Sequence, residues 1–393
     1  MYWRRDECVG CGREGRLMND GRHLAGTQDS LDVVNNDVSR LRLLFVVLSF
    51  VGAGCARPAG VIFPPDDRAP VWPPPPDEPR IRWLGQLATD ADLKPARSGW
   101  QAFADAIGGP ARINSVSTPA GVAVSRDQRV FVTDPTLRCV HVFDLNARTY
   151  GAILDVDGAP LAVPADVAVD GPRIFISDSA RRAIFEFDAG GRFVRTIGRD
   201  VLQRPIGVAA AAIEKQSGTR LYVVDAVLHA CIVFDAAGGE LFRFGRRGAG
   251  PGEFNVPTDV AVHRDIGVLV ADTLNFRVQR FSHDGEFVGE FGARGDGAGD
   301  FAMPKGIAVD GAGRVYVADA QFENIQVFSS EGRLLLAIGH EGRGPGEFWL
   351  PNQLDIDDNQ RLWAADAYNR RVQVFQILPE PPARIEASSA QMR

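Results

Sequence analysis

Three features of the sequence predict an all-β chain folded as a six-bladed β-propeller. The first is an aspartate at Asp134, Asp178, Asp225, Asp272, Asp319 and Asp366, with spacings of 44, 47, 47, 47 and 47 residues. The second is a phenylalanine nine residues after each of them: Phe143, Phe187, Phe234, Phe281, Phe328 and Phe375. The third is local pattern. Runs of four to six residues alternate between apolar and polar and are broken by Gly- and Asp-rich turns, the mark of half-buried strands. Four such strands make a small sheet that cannot bury its own faces. Six of them set radially give every sheet two neighbours.

The unit is plainest from Met303 to Phe348. A proline opens its innermost strand, as at Pro119, Pro164, Pro205, Pro257, Pro304 and Pro351, a position where the missing N–H costs little. The second strand ends at the repeated aspartate. An Asp placed there accepts backbone N–H bonds and holds the following turn, so recurrence in all six units assigns these residues a structural role. Three residues before each repeated Phe stands an apolar residue: Val140, Ile184, Cys231, Val278, Ile325 and Val372. The repeated Phe is expected to pack between neighbouring blades.

The motifs P-x-G-[IV]-A-V-D, V-Y-V-A-D and R-V-Q-V-F, with the loop F-G-x-x-G-x-G-P-G-E-F at Phe244–Phe254, resemble NHL repeats. Near copies of the loop are Ile338–Phe348 and Phe291–Phe301. The match runs from Pro119 to about Leu378 and weakens in the first two units, whose connecting loops (Asp155–Val163 and Arg199–Arg204) lack the motif. NHL domains are typically six-bladed, in agreement with the count of repeats.

Ahead of the repeats the chain changes character several times. Residues 1–37 have no apolar period and read as a disordered or mis-assigned extension; Cys8 and Cys11 lack a second ligand pair for zinc. In residues 38–55 two arginines precede an apolar run, Leu43 to Val51, and then Gly-Ala-Gly-Cys55. The run is too short to span a bilayer and fits a secretory signal. It resembles a bacterial lipoprotein signal, which implies lipidation at Cys55 and export to the periplasm or cell surface. Residues 56–79 contain nine prolines and read as a stiff linker without a core, reaching ~70 Å at ~3.1 Å per residue. The propeller is assigned to residues 80–378. The last unit lacks an outer strand, and the alternating segment 80–87 is expected to supply it, closing the ring. Trp100, Phe103 and Ile107 fall at helical spacing and predict a short helix at about 98–108. Residues 379–393 read as a disordered tail.

The net charge is −7. Residues 1–54 hold seven Arg and seven acidic residues, so the remainder is also −7. This opposes a nucleic-acid footprint. No G-x-S-x-G, P-loop or H-E-x-x-H occurs, and the histidines do not reproduce the zinc arrangement of the NHL-type amidating lyase. Residues that break the repeat are the better candidates. The third position of each unit reads Gly121, Asp166, Gly207, Asp259, Gly306 and Gln353, so a polar residue alternates with glycine. Asp166, Asp259 and Gln353, with Lys305 and Asn352 beside them, are expected at the mouth of the central channel. Oxygen donors from Asp166, Asp259 and Asn352 suit Ca²⁺, and a partial resemblance to gluconolactonase- and paraoxonase-type propellers implies a Ca²⁺-dependent hydrolase or lactonase as the alternative. The loops between second and third strands form one face, here termed the top. They carry Arg138, Arg181, Asn275, Arg277, Tyr368 and Arg370, a mixture suited to a protein or polymer partner. The leading expectation is a monomeric, lipid-anchored binding module with no catalytic residue and no cofactor. A signal starting at residue 38 also places the translation start near Val34 or Val38. N-terminal sequencing of the precursor should find residues 1–30 missing, and their presence would refute that start.

Overall fold

The computed structural model describes residues 58–96, 98, 113–212 and 218–379. The expected N-terminal extension, signal, helix (Ser98 apart) and most of the tail lie outside the described residues. Among the described residues no helix is long and apolar enough to cross a membrane.

Six antiparallel sheets form the propeller. In chain order their innermost strands are Val122–Val124, Pro164–Asp170, Pro205–Ala212, Pro257–His263, Pro304–Val309 and Pro351–Ile356. Blades 1 to 5 each add three further strands in simple up-and-down order. Blade 6 takes its fourth strand from the other end of the described chain: Ile81–Leu87 runs antiparallel to Arg371–Ile377, with Ile81 opposite Ile377 and Leu87 opposite Val372.

The apolar core is six separate seams, one at each blade junction. The seam between blades 4 and 5 gathers Leu269, Val278, Phe301, Ile307, Val317 and Phe328; the five others repeat the plan. Every repeated Phe is at most 1% exposed. In blades 4 and 5 it is sandwiched by two more phenylalanines, one from the preceding outer strand and one from the glycine-rich loop. Phe328 lies 4.8 Å from Phe291 and 5.5 Å from Phe301, within the range of favourable ring pairs.

The repeated aspartates have the structural role expected of them. All six are fully buried. Asp225 accepts N–H groups from Gln203, Arg204, Val227 and Leu228, so one carboxylate ties the entry of the first strand to the turn after the second. In blades 4 and 6 an arginine joins: Arg277 reaches Asp272, and Arg371 reaches Asp366.

The proline-rich stretch departs from expectation. From Pro58 to Pro79 it is a strap packed on blade 6 and its seam with blade 1, not a free linker. Val71–Trp72 adds a fifth strand, pairing with Arg82 and Ile81. Trp72 packs edge-on against Phe375 at 5.8 Å and lies where a Cβ on Gly346 would come within 2.3 Å, an approach open only to glycine. Phe63 meets Trp363 edge-on at 6.0 Å. Arg148 donates to the Gly60 and Leu93 carbonyls, and Lys94 Nζ to those of Val61 and Ile62. Two aromatic side chains and these capped carbonyls outweigh the preference of prolines for extended, solvated chain.

Phe328→Ala should cost about 3–5 kcal/mol in denaturant unfolding, the usual range for a fully buried phenylalanine. An unchanged midpoint would contradict the seam assignment.

Candidate functional site: the channel and the top face

The innermost strands enclose a cavity of about 660 Å³, walled mainly by Val, Ala and Ile side chains from all six blades, with Arg126, Asp170, Asp357 and Asp358 also on its wall. Of the five expected channel-mouth residues, only Gln353 lines it. Asp166 and Asp259 are buried above it.

Their hydrogen bonds explain the alternation with glycine. Asp166 accepts the N–H of Val208 at 2.8 Å, one blade onward, and that of its neighbour Val167 at 2.6 Å. Asp259 does the same with Ile307 and Val260, each at 2.8 Å. Gln353 Oε1 accepts the Val122 N–H at 2.8 Å, and its amide donates to Asp259 Oδ1 at 3.4 Å. Each polar residue of an even blade therefore clasps the innermost strand of the next odd blade. At the other three junctions the blades close by contact. A Cβ on Gly121, Gly207 or Gly306 would lie 2.8, 2.6 or 2.6 Å from the Cα of Asp166, Asp259 or Gln353. The alternating pattern is thus an inter-blade clasp with threefold character.

Lys305 and Asn352 stay partly exposed at this level. Burial lowers the Lys305 ammonium pKa, and its backbone carbonyl accepts Thr258 Oγ1 at 3.0 Å. Burial raises both clasp carboxyls, Asp166 and Asp259, and charge repulsion from Asp259 raises Asp166 further. The Ca²⁺ alternative does not fit this donor set. The Asp166 and Asp259 oxygens point at backbone N–H groups, and among the described residues no three Asp, Glu, His or Cys side chains converge to hold a metal.

One channel residue was not singled out in the sequence. Asp355 stands where the other five units carry Ala123, Ala168, Ala209, Ala261 and Ala308, and that break in the repeat is the signal that could have found it. It lines the cavity and accepts the Val124 N–H at 2.7 Å, a second clasp beside Gln353. Burial pushes its carboxyl up to about 7, with Asp357 and Asp358 adding repulsion. Blade 1 holds another departure from the repeat. His141 lies between Tyr150 Oη at 2.8 Å and Asp134 Oδ2 at 3.4 Å, in the slot that Gln279 and Gln373 fill in blades 4 and 6.

The expected top-face residues separate into two groups. Arg138, Tyr368 and Arg370 are exposed. Arg277 is not: it is buried, bonded to Asp272, Glu290 and the carbonyls of Gly250 and Glu253. It stands at the start of a third strand, where the side chain turns inward to the repeated Asp. Asn275 is likewise tied to Asp272 and the Gly248 carbonyl, and Arg181 to the Pro160 carbonyl. Apolar side chains project beside the exposed arginines: Leu137, Val227, Leu274 and Tyr368 are 49%, 48%, 48% and 56% exposed, on loops of blades 1, 3, 4 and 6.

A family model described as a 6-bladed beta-propeller matches residues 311–378. No curated protein matches significantly in sequence. Similar solved structures include a gluconolactonase from Xanthomonas campestris, at 19% identity and TM-score 0.54 over 82% of this chain and 99% of that one. An auxiliary nutrient binding protein from Bacteroides thetaiotaomicron aligns at 10% identity and TM-score 0.53, over 66% of this chain and 69% of that one. A protein of unknown function from the same bacterium aligns at 16% and 0.52, over 66% and 70%. At such identities the likeness establishes the propeller fold alone.

The raised Asp355 pKa has a signed consequence for stability. The unfolded chain ionises this carboxyl near pH 4 and the folded chain near pH 7, so its contribution is complete below about pH 4 and is lost as pH rises to about 7. Asp355→Ala should cost about 1–3 kcal/mol at pH 4, where the Val124 N–H loses its acceptor, and much less at pH 8. Parallel stability–pH curves for wild type and variant would contradict this.

Proposed function

We propose that this propeller is the partner-binding module of an exported, lipid-anchored protein of NHL type, and that it binds through its top face. The observation that carries the reading is the set of half-exposed apolar residues, Leu137, Val227, Leu274 and Tyr368, spread over four blades of that face. Large apolar groups held out on rigid turns are features of interaction surfaces. Their presentation is fixed from below, because each turn hangs on a buried aspartate; Leu137 N donates to Asp134 and Leu228 N to Asp225. Tyr368 is braced by Trp349 at 5.6 Å, and Arg343 stacks on Trp349 at 4.7 Å. Exposed Arg138 and Arg370 flank these groups and add guanidinium donors to the surface. Export and lipidation rest on the segment ending in Gly-Ala-Gly-Cys55. The channel polar groups, by contrast, are engaged in joining blades.

Photo-crosslinking in the native envelope tests the reading. A photoreactive residue at Tyr368 should trap a discrete partner, whereas one at Ala147, in a turn on the opposite face, should not. The double variant Leu137→Ser, Leu274→Ser, with the crosslinker at Tyr368, should lose at least ten-fold in adduct while melting as wild type does. Equal trapping from both faces would overturn the proposal.

A further inference from the structure

We infer that the propeller rides directly against the lipid surface with the rim at its closing seam, the junction of blades 6 and 1, and is not held away on a tether. This rests on the lipid-anchor reading of Cys55. What the fold adds is where the chain that follows Cys55 is bound. The strap is held from Gly60 onward: Gly60 N donates to the Lys94 carbonyl at 3.1 Å, its carbonyl accepts Arg148 Nη1 at 2.6 Å, and Lys94 Nζ bonds the next two carbonyls at 2.9 and 3.1 Å. Ile62 and Phe63 then pack into the seam itself, with Leu84, Leu93, Phe143 and Trp363. Four residues lie between Cys55 and Gly60, and the five steps from one to the other reach about 18 Å when fully extended. The prolines that would otherwise make a long spacer are used up in the strap.

An anchor so mounted also sets orientation. Arg148 belongs to the turn that joins the third and fourth strands of blade 1, between Asp144 and Thr149. That turn therefore lies beside the membrane, and the matching turn of blade 3 lies toward the far side of the ring. The partner is the lipid surface, reached through the acyl chains on Cys55, since two chains anchor stably where one does not.

Single cysteines at Ala147 and Ala237, both exposed and in those two turns, test this in the full-length lipoprotein. The native Cys139 and Cys231 are buried. Each variant, labelled with bimane, is placed in phosphatidylethanolamine–phosphatidylglycerol vesicles containing a headgroup-nitroxide lipid. Quenching at Ala147→Cys should exceed that at Ala237→Cys at least two-fold. Twenty Gly/Ser residues inserted between Arg57 and Pro58 should erase the difference. Equal quenching in the uninserted protein, or a difference that survives the insertion, would overturn the seam mounting. Absence of palmitate labelling, lost in Cys55→Ala if present, reports failure of the anchor reading instead, and with it the present inference.

Discussion

A four-stranded sheet has two faces to cover, and in this molecule each is covered by the next sheet around the ring. The burial of apolar surface at six junctions is the constraint from which the other features follow. Each junction needs a bulky residue at a fixed height, which is why a phenylalanine recurs at one offset from one aspartate. Each also needs its strand ends held in register. The buried aspartates do this by binding N–H groups from two separate stretches of chain, for example Ala302 with Gln321 on Asp319. Both stretches belong to the blade that carries the aspartate, so each carboxylate fixes the strand ends of its own blade at the height the junction requires.

Near the axis the same demand is met differently. Side chains converge there, and six copies of one residue would either clash or leave a hole. Alternation solves the problem: a glycine lets one blade close on the next, and an Asp or Gln in that next blade reaches one blade further. Burial disfavours ionisation of both carboxylates used in this way, with repulsion from Asp259 adding to it at Asp166 and from Asp355 at Asp259. Blade 6, with Gln353 in place of a third aspartate, spares the ring one charge and supplies a donor to Asp259.

Blade number, strand order and the role of the six aspartates could be read from the sequence because periodicity records contacts that every copy repeats. The polar alternation was also visible, but its meaning was not. A carboxylate pointing at a channel and one pointing at the N–H of the next blade look alike until the radial spacing of the strands is known. Arg277 was misplaced because position in a loop does not tell which way the first strand residue turns. Asp355 was readable in principle, as the one acid in a column of alanines. The strap was hidden by its composition. Nine prolines suggested solvated chain, while Phe63 and Trp72 within the same segment were the residues that dock it.

The strand that completes blade 6 is made nearly three hundred residues before its partner: the Trp83 indole donates to Gln373 across 290 positions. Closing so long a loop costs about 5 kcal/mol by the logarithmic law of chain entropy, and the penalty is recovered only when the whole circle is present. Until ribosomal synthesis reaches its final turns, Ile81–Leu87 and the unfinished blade remain two raw borders with no mate. Such borders recruit other chains as readily as their own. The C-terminal strand therefore acts as a completion check: a product missing it is an open, adhesive arc, not a slightly shorter propeller.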